Sequence, residues 1–284
     1  MEKTFGLIGG DRRQAELSHL LAADGNTVYT YGLDDWKPAG AGDLDRAAGA
    51  DVIVLPLPLC QGDGALNCRE DPMSTAELFH RLCPGQRVLA GQVRPQQYRE
   101  AADCGLTLED YFLREELTVA NAAVTAEGAV QVAMERLDET LLGMECLVLG
   151  FGRIGKLLCH RLQGLGARVS AAARRPSDLA WIRAYGWRAL ETGALDGELS
   201  RFGAVFNTVP SPVLGAALLK QLPGRCLLVD LASCQGIDLA AAESLGLPNV
   251  WARCLPGRLS PRTAAAVIRD TVYYILLEER SDPA

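Results

Sequence analysis

One short stretch, residues 150–155 with the sequence Gly-Phe-Gly-Arg-Ile-Gly, restricts the fold more than any other part of this 284-residue chain. It follows the apolar run at 146–149 and precedes a segment with helical spacing, which predicts a strand, a tight turn and a helix. In that setting the first glycine allows the turn, the second admits a pyrophosphate and the third lets helix and strand pack closely. The alternative is a glycine-rich turn that binds nothing. We predict a dinucleotide-binding Rossmann unit whose loop contributes Gly150, Gly152, Arg153, Ile154 and Gly155.

The stretch after the next predicted strand indicates which nucleotide binds. In NAD-preferring units an Asp or Glu about 20 residues beyond the glycine motif hydrogen-bonds the ribose 2′-hydroxyl. Residues 171–177, Ala-Ala-Ala-Arg-Arg-Pro-Ser, contain no carboxylate. Arg174, Arg175 and Ser177 stand there instead, and a guanidinium matches a 2′-phosphate in geometry and charge. We predict NADP as the cofactor, with NAD as the open alternative; Arg175 alone is equally explained as a solvated loop charge.

Three later segments are expected along the same groove, because ligands of such sheets bind outside the carboxyl ends of the strands. The first follows a predicted strand and lines the ribose and nicotinamide side, although Asn and Pro also favour ordinary turns. The second ends the next strand with small residues that would let a flat ring approach. The third precedes the last predicted helix. Their candidate cofactor contacts are Asn207, Thr208, Val209, Pro210, Leu231, Ala232, Ser233 and Pro256.

The rest of the chain alternates short apolar strands with helical segments, which predicts an α/β fold with two Rossmann-like parallel-sheet domains joined by long helices. A helix at 125–142, with Thr125 as its cap, is expected between the domains. A last helix at 261–279 is expected to return to the first domain. The predicted parts are a substrate-binding and catalytic domain at 1–118, a linking helix at 119–142, the nucleotide-binding domain at 143–258 and the returning helix at 259–284.

Composition excludes several classes of function. A formal net charge of −7 argues against a nucleic-acid partner. Nine cysteines, an odd number without a C-x-x-C pair, indicate reduced thiols in a cytoplasmic protein. No apolar run approaches the roughly 18 residues that a membrane helix needs. Ligand spacings typical of zinc are missing, so no metal is expected.

Candidates for catalysis are fewer. The turn at 9–14 carries Asp11 and Arg13, and an arginine there could hold a substrate carboxylate, although both residues also suit a helix N terminus. Thr125 and Glu127 lie where the chain crosses between the domains. The three histidines, His19, His80 and His160, do not occupy the position of an acid/base residue near the last strand. Because alcohol oxidation needs a base for the hydroxyl proton, a different hydride transfer is predicted.

The motifs taken together resemble one family, the A-subunits of dipicolinate synthase, in order along nearly the whole chain. The matching stretches are Gly-Gly-Asp-x-Arg-Gln at 9–14, Thr-Ala-Glu-Gly at 125–128, the glycine motif at 148–155, Ala-Arg-Arg at 173–175, Asn-Thr-x-Pro at 207–210, Asp-Leu-Ala-Ser at 230–233 and Leu-Pro-Gly with its continuation at 255–264.

The resemblance implies a role in spore formation, in the mother-cell cytoplasm. With a second, flavoprotein-like subunit the family makes pyridine-2,6-dicarboxylate from 4-hydroxytetrahydrodipicolinate, by loss of water and oxidation with NAD(P)⁺. It also implies that Arg13 meets the cyclic dicarboxylate, and a homo-oligomer is expected. Two alternatives stay open: a 2-hydroxyacid-type dehydrogenase, and a nucleotide-binding regulatory subunit whose partner performs the chemistry.

Overall fold

The computed structural model describes residues 3–62, 64–69 and 72–281, with side chains described up to 278. The chain divides into two compact units. Unit one comprises Met1–Asn121 together with Pro256–Ala284, and unit two comprises Ala122–Leu255. Each unit is built on its own parallel sheet.

Unit one contains a five-stranded sheet in the order β2-β1-β3-β4-β5, with every neighbouring pair parallel. This is the flavodoxin-like order of a doubly wound sheet, which reverses direction between β1 and β3. Its strands are β1 (Thr4–Ile8), β2 (Thr27–Tyr31), β3 (Val52–Val54), β4 (Arg87–Ala90) and β5 (Thr107–Asp110). Its helices are α1 (Arg12–Ala23), α2 (Leu44–Ala48), α3 (Thr75–Phe79) and α4 (Pro95–Asp103).

One long helix, α5 (Glu115–Arg136), carries the chain from unit one into unit two. The predicted helix at 125–142 is therefore wrong at both ends. Glu115 and Glu116 occupy the first turn, where carboxylates complement the helix dipole, so the helix begins ten residues earlier than expected. Thr125 consequently lies in mid-helix, buried, and caps nothing.

Unit two contains a six-stranded parallel sheet in the order β11-β10-β9-β6-β7-β8. Counted from its own first strand this is 3-2-1-4-5-6, the order of a dinucleotide-binding Rossmann sheet. Its strands are β6 (Glu145–Leu149), β7 (Arg168–Ala173), β8 (Arg188–Glu191), β9 (Ala204–Asn207), β10 (Leu227–Asp230) and β11 (Asn249–Trp251). Its helices are α6 (Arg153–Gly164), α7 (Pro176–Ala184), α8 (Ala216–Leu219) and α9 (Leu239–Ser244).

The C-terminal segment forms α10 (Leu255–Leu259) and α11 (Pro261–Ser281). Residues of α11 such as Ile268, Val272 and Ile275 are buried in one cluster with Phe5 and Leu17 of unit one. The last helix thus completes the core of unit one, although it follows unit two in sequence. Its apolar face has the spacing of a helix that packs along one side.

The central strands of both sheets are continuous apolar runs because helices cover both faces. In β6, Cys146–Leu149 are fully buried, and the register sets Leu149 beside Ala172 of β7 and Asn207 of β9. That register matters for function because it fixes where each strand ends. The edge of unit two's sheet at which its strands end, called the carboxyl edge below, carries the predicted nucleotide contacts.

Candidate nucleotide-binding site

The turn between β6 and α6 needs glycine at two of its three glycine positions for steric reasons. Gly150 has φ 95°, in the left-handed region, and a side chain there would overlap Thr208 Oγ1. A Cβ at Gly155 would overlap the carbonyl oxygen of Gly150. The Thr208 hydroxyl also donates to the carbonyl of Leu149 across 2.9 Å, which ties the end of β9 to the turn. The loop is therefore closed from behind and below by backbone.

Gly152 differs from the other two glycines, since a Cβ built on it would meet no atom within 4 Å. It occupies the N-cap position of the 12-residue helix α6, and no side chain caps that end. The first N–H groups of α6 consequently face open space beside a residue that has no side chain. Backbone donors at such an end favour a phosphate group. These residues fit the pyrophosphate of a dinucleotide, with Arg153 exposed and Ile154 half-buried next to it.

The end of β7 carries two exposed guanidiniums, on Arg174 and Arg175, followed by the exposed Ser177. Arg175 is the N-cap of α7 and lies 3.8 Å from the carboxylate of Asp178. Arg174 forms no ion pair with any residue in the described part of the chain. Asp178 is a carboxylate that stands one position beyond the 171–177 stretch. It pairs with Arg175 and leaves Arg174 as the better candidate for a 2′-phosphate.

Asn207 was expected to contact the cofactor, but its side chain is fully buried and satisfied within the protein. Its amide nitrogen donates to Asp230 Oδ1 at 2.9 Å and to the carbonyl of Val209 at 3.0 Å, while its oxygen accepts from Val209 N–H. Asp230 accepts three further bonds from the backbone N–H groups of Ala232, Gly236 and Ile237. The pair therefore shapes the loops after β9 and β10 instead of touching a ligand.

The shaped loops present few polar side chains to solvent. Thr208 and Val209 are half-buried and Pro210 is exposed, whereas Leu231 and Ala232 are buried and Ser233 is exposed. This gives the carboxyl edge a small-residue surface beyond β9 and β10, suited to a flat ring. Pro256 lies in α10, buried.

Sequence reasoning missed one side chain of this edge, Trp251 at the end of β11. Its indole N–H donates to the carbonyl of Ala232 across 2.9 Å, and the guanidinium of Arg253 lies over its ring at 4.5 Å. The three-residue edge strand β11 carried no recognisable strand pattern. A lone tryptophan after Asn-Val was the signal available, and it did not distinguish a binding surface from packing.

In unit one, Asp11 and Arg13 bind each other. Asp11 caps α1 by accepting from Arg13 N–H, and its carboxylate meets the Arg13 guanidinium at 2.7 Å. The buried Arg13 also donates to the carbonyl of Leu57. Gly257 packs on this pair so closely that a Cβ would lie 2.8 Å from Asp11 Oδ2. Two motifs from opposite ends of the chain therefore meet, and Arg13 already has carboxylate and carbonyl partners.

Glu127 is exposed and pairs with Arg161 at 3.2 Å. Arg161 lies in the last turn of α6, about 12 Å along the axis from the phosphate-loop end at 1.5 Å per residue. Thr125 is buried in α5. This geometry lends neither residue a place at the glycine loop.

Metal-binding and membrane-spanning features are missing from the described residues. Among them, no three His, Cys, Asp or Glu side chains group as metal ligands do. His160 packs edge-on against Tyr185 and Trp187, with ring centroids 5.1 and 4.7 Å away. Of the helices in the described part of the chain, none is long and apolar enough to cross a membrane.

Comparison with known proteins decides the family. Residues 4–112 match the family model described as the N-terminal domain of the dipicolinate synthase A-subunit. The dipicolinate synthase A-subunit of Bacillus subtilis (strain 168) is 27% identical over 288 residues, covering 98% of this chain and 97% of that protein. The chain belongs to the dipicolinate synthase A-subunit family.

Solved structures agree with that membership. The crystal structure of the family's Bacillus subtilis member superimposes with a TM-score of 0.85, covering 100% of this chain and 98% of that one at 27% identity. The member from Bacillus halodurans gives 0.83 at 26% identity, covering 99% and 98%. A transhydrogenase from Sinorhizobium meliloti gives 0.66 at 18% identity, covering 92% and 87%, which shows a shared fold. The two predicted parallel-sheet α/β domains are thereby confirmed.

Proposed function

We propose that this chain is an NADP-dependent dehydrogenase subunit that forms dipicolinate from 4-hydroxytetrahydrodipicolinate. The observation that carries the proposal is the combination, in one 3-2-1-4-5-6 sheet, of an open Gly152 at the N terminus of α6 and two exposed arginines at the end of β7. Family membership supplies the product, since the Bacillus subtilis relative is named for dipicolinate synthesis.

Each part of the site has a distinct task. The N–H groups at the start of α6 bind the pyrophosphate, and Gly152 leaves the space for it. Arg174 binds the 2′-phosphate with a planar guanidinium, while Arg175 is partly neutralised by Asp178. The buried Asn207–Asp230 pair holds the loops after β9 and β10 in place. A bound nicotinamide ring supplies the hydride acceptor.

The chemistry balances without an alcohol oxidation. The hydroxytetrahydro compound first loses water across its ring, which gives a dihydropyridine dicarboxylate. That intermediate then loses one hydride and one proton, and the pyridine ring of dipicolinate is formed. Aromatisation favours hydride departure, so no histidine is needed to deprotonate a hydroxyl group. One reduced nucleotide is formed for each dipicolinate.

The cellular setting is part of the same proposal. The relative's designation as one subunit of a synthase supports a second synthase subunit, for which the sequence predicts a flavoprotein-like protein. Action in the mother-cell cytoplasm during sporulation, and assembly as a homo-oligomer, likewise stay predictions.

The proposal is tested by mixing the purified chain with 4-hydroxytetrahydrodipicolinate and NADP⁺, with and without the second subunit. Dipicolinate and NADPH absorbance are followed together. We expect both to rise with the chain alone. Tight NADP⁺ binding without turnover, even when the second subunit is present, would instead show that the chain is a nucleotide-binding regulatory subunit.

A further inference from the structure

The second half of unit two's sheet holds a positive charge that the nucleotide site does not use. A Rossmann sheet binds one mononucleotide on each half, and the ribose contact at the end of β7 assigns the adenosine to β6–β8. The other half, β9–β11, therefore receives the nicotinamide and the substrate that reacts with it. Residues 208–215, 231–237 and 252–255 follow these three strands, and the structure describes all of them. Arg253 carries the only formal charge among them.

Arg253 is held in place by its neighbours. The strand register sets Trp251 beside Asp230, and Ala252 N–H donates to the carbonyl of Asp230 across 2.8 Å. The indole N–H of Trp251 is fixed on Ala232, and the Arg253 guanidinium lies 4.5 Å from the centroid of that ring. A guanidinium stacked on a fixed aromatic ring gains cation–π stabilisation, and its N–H donors point outward in its own plane.

We propose that Arg253, stacked on Trp251, binds a ring carboxylate of the substrate and so determines specificity for a dicarboxylate. The inference rests on the proposed function. A hydride donor carbon must come within contact distance of the nicotinamide, so the carboxylate of the same small ring falls on the same half of the carboxyl edge. Arginine meets a carboxylate with two parallel N–H···O bonds, which fixes the orientation of the ring as well as its position. Trp251 is the positioning residue of this pair.

The test uses binding instead of turnover. Dipicolinate and its neutral isostere pyridine-2,6-dicarboxamide are titrated calorimetrically into the full chain saturated with NADP⁺. In the wild type we expect the dicarboxylate to bind more tightly than the diamide. Arg253→Gln should weaken dipicolinate about 10- to 100-fold, the loss expected for a hydrogen bond to a charged group, and leave the diamide within about threefold. Arg253→Lys should fall between, since it keeps the charge but not the planar pair of donors.

Two further variants make the result specific. Arg225→Gln removes an exposed arginine that pairs with Glu139 just before β10 begins, at the opposite end of that strand, and should change nothing. Trp251→Leu removes the aromatic platform and should weaken dipicolinate less than Arg253→Gln does. Affinity for NADP⁺ should stay within about threefold in all variants.

The outcomes separate the inference from the function on which it rests. If the wild type binds no dipicolinate and makes none, the proposed function fails. If the wild type binds dipicolinate and Arg253→Gln binds it equally well, the assignment of Arg253 alone fails. A loss of NADP⁺ affinity in Arg253→Gln would also overturn it, because the arginine would then serve the cofactor.

Discussion

The side-chain amide of Asn207 donates to Asp230 Oδ1 at 2.9 Å, and both side chains are fully buried where β9 and β10 end. Asp230 accepts three backbone N–H groups from the following loop, so a single carboxylate organises two neighbouring loops. A buried charge is tolerated when hydrogen bonds replace its water, and here four donors do so. The Asn-Thr-x-Pro and Asp-Leu-Ala-Ser motifs are thus one structural device.

Removing Asn207 should therefore cost stability. Asn207→Ala leaves the buried Asp230 with one donor fewer, and we expect the free energy of unfolding to fall by about 2–3 kcal/mol in urea titrations. Asn249→Ala is the matched control, because the Asn249 amide makes only a local bond to the carbonyl of Leu247. It should cost less than about 1 kcal/mol. Similar losses in the two variants would contradict a special role for the buried pair.

The glycines of the phosphate loop should separate folding from binding. Gly155→Ala drives a methyl group into the carbonyl of Gly150 and should lower the free energy of unfolding by about 1–3 kcal/mol. Gly152→Ser introduces a favoured N-cap residue into open space, so stability should stay within about 0.5 kcal/mol. Its side chain occupies the proposed pyrophosphate position, and NADP⁺ affinity should fall at least about tenfold. Unchanged affinity in Gly152→Ser would remove the pyrophosphate from this loop.

These glycines illustrate what a sequence can predict. The spacing of the motif and the apolar strand before it are local, so the turn and the parallel sheet follow from the residues themselves. The start of α5 was missed because its first turns contain Thr, Val and Asn, which are weak helix formers, and packing decides there. The Asn207–Asp230 pair and the Trp251 platform depend on strand neighbours that are distant in sequence. Their residues read locally as turn and loop.

Cofactor preference should depend on Arg174. Arg174→Ala removes the guanidinium assigned to the 2′-phosphate, so the Kd for NADP⁺ should rise about 10- to 100-fold while that for NAD⁺ changes less than about threefold. Arg175→Ala should have a smaller effect, because Asp178 already lies 3.8 Å from that side chain. Arg183→Ala, in the last turn of α7, serves as the control. Equal weakening of both nucleotides in Arg174→Ala would refute the 2′-phosphate assignment.

Alkaline pH should destabilise unit two through its buried thiols. Burial raises the pKa of Cys146 and of Cys226 from about 9 to about 12, because a thiolate in the core loses its hydration. The folded chain keeps protons that the unfolded chain releases near pH 9. Their stabilising contribution is complete below that pH and is lost as pH rises toward about 12, by up to about 1.4 kcal/mol per pH unit for each thiol.

The corresponding measurement is the free energy of unfolding between pH 9 and 11 in Cys146→Ala and in Cys234→Ala. Cys234 is exposed, so its removal should leave the slope against pH unchanged. Cys146→Ala should flatten the slope by about 1.4 kcal/mol per pH unit, beyond any constant loss from the smaller side chain. Parallel curves for the two variants would show that the Cys146 thiol is not protected in the folded state.

The most direct test of the central claim follows the hydride. The chain is incubated with NADP⁺ and 4-hydroxytetrahydrodipicolinate deuterated at its saturated ring carbons, and NADPH and dipicolinate are quantified by mass spectrometry. We predict equal amounts of the two products, with one deuterium in each NADPH. Dipicolinate formed without reduced nucleotide, or NADPH without deuterium, would show that this chain does not transfer the hydride.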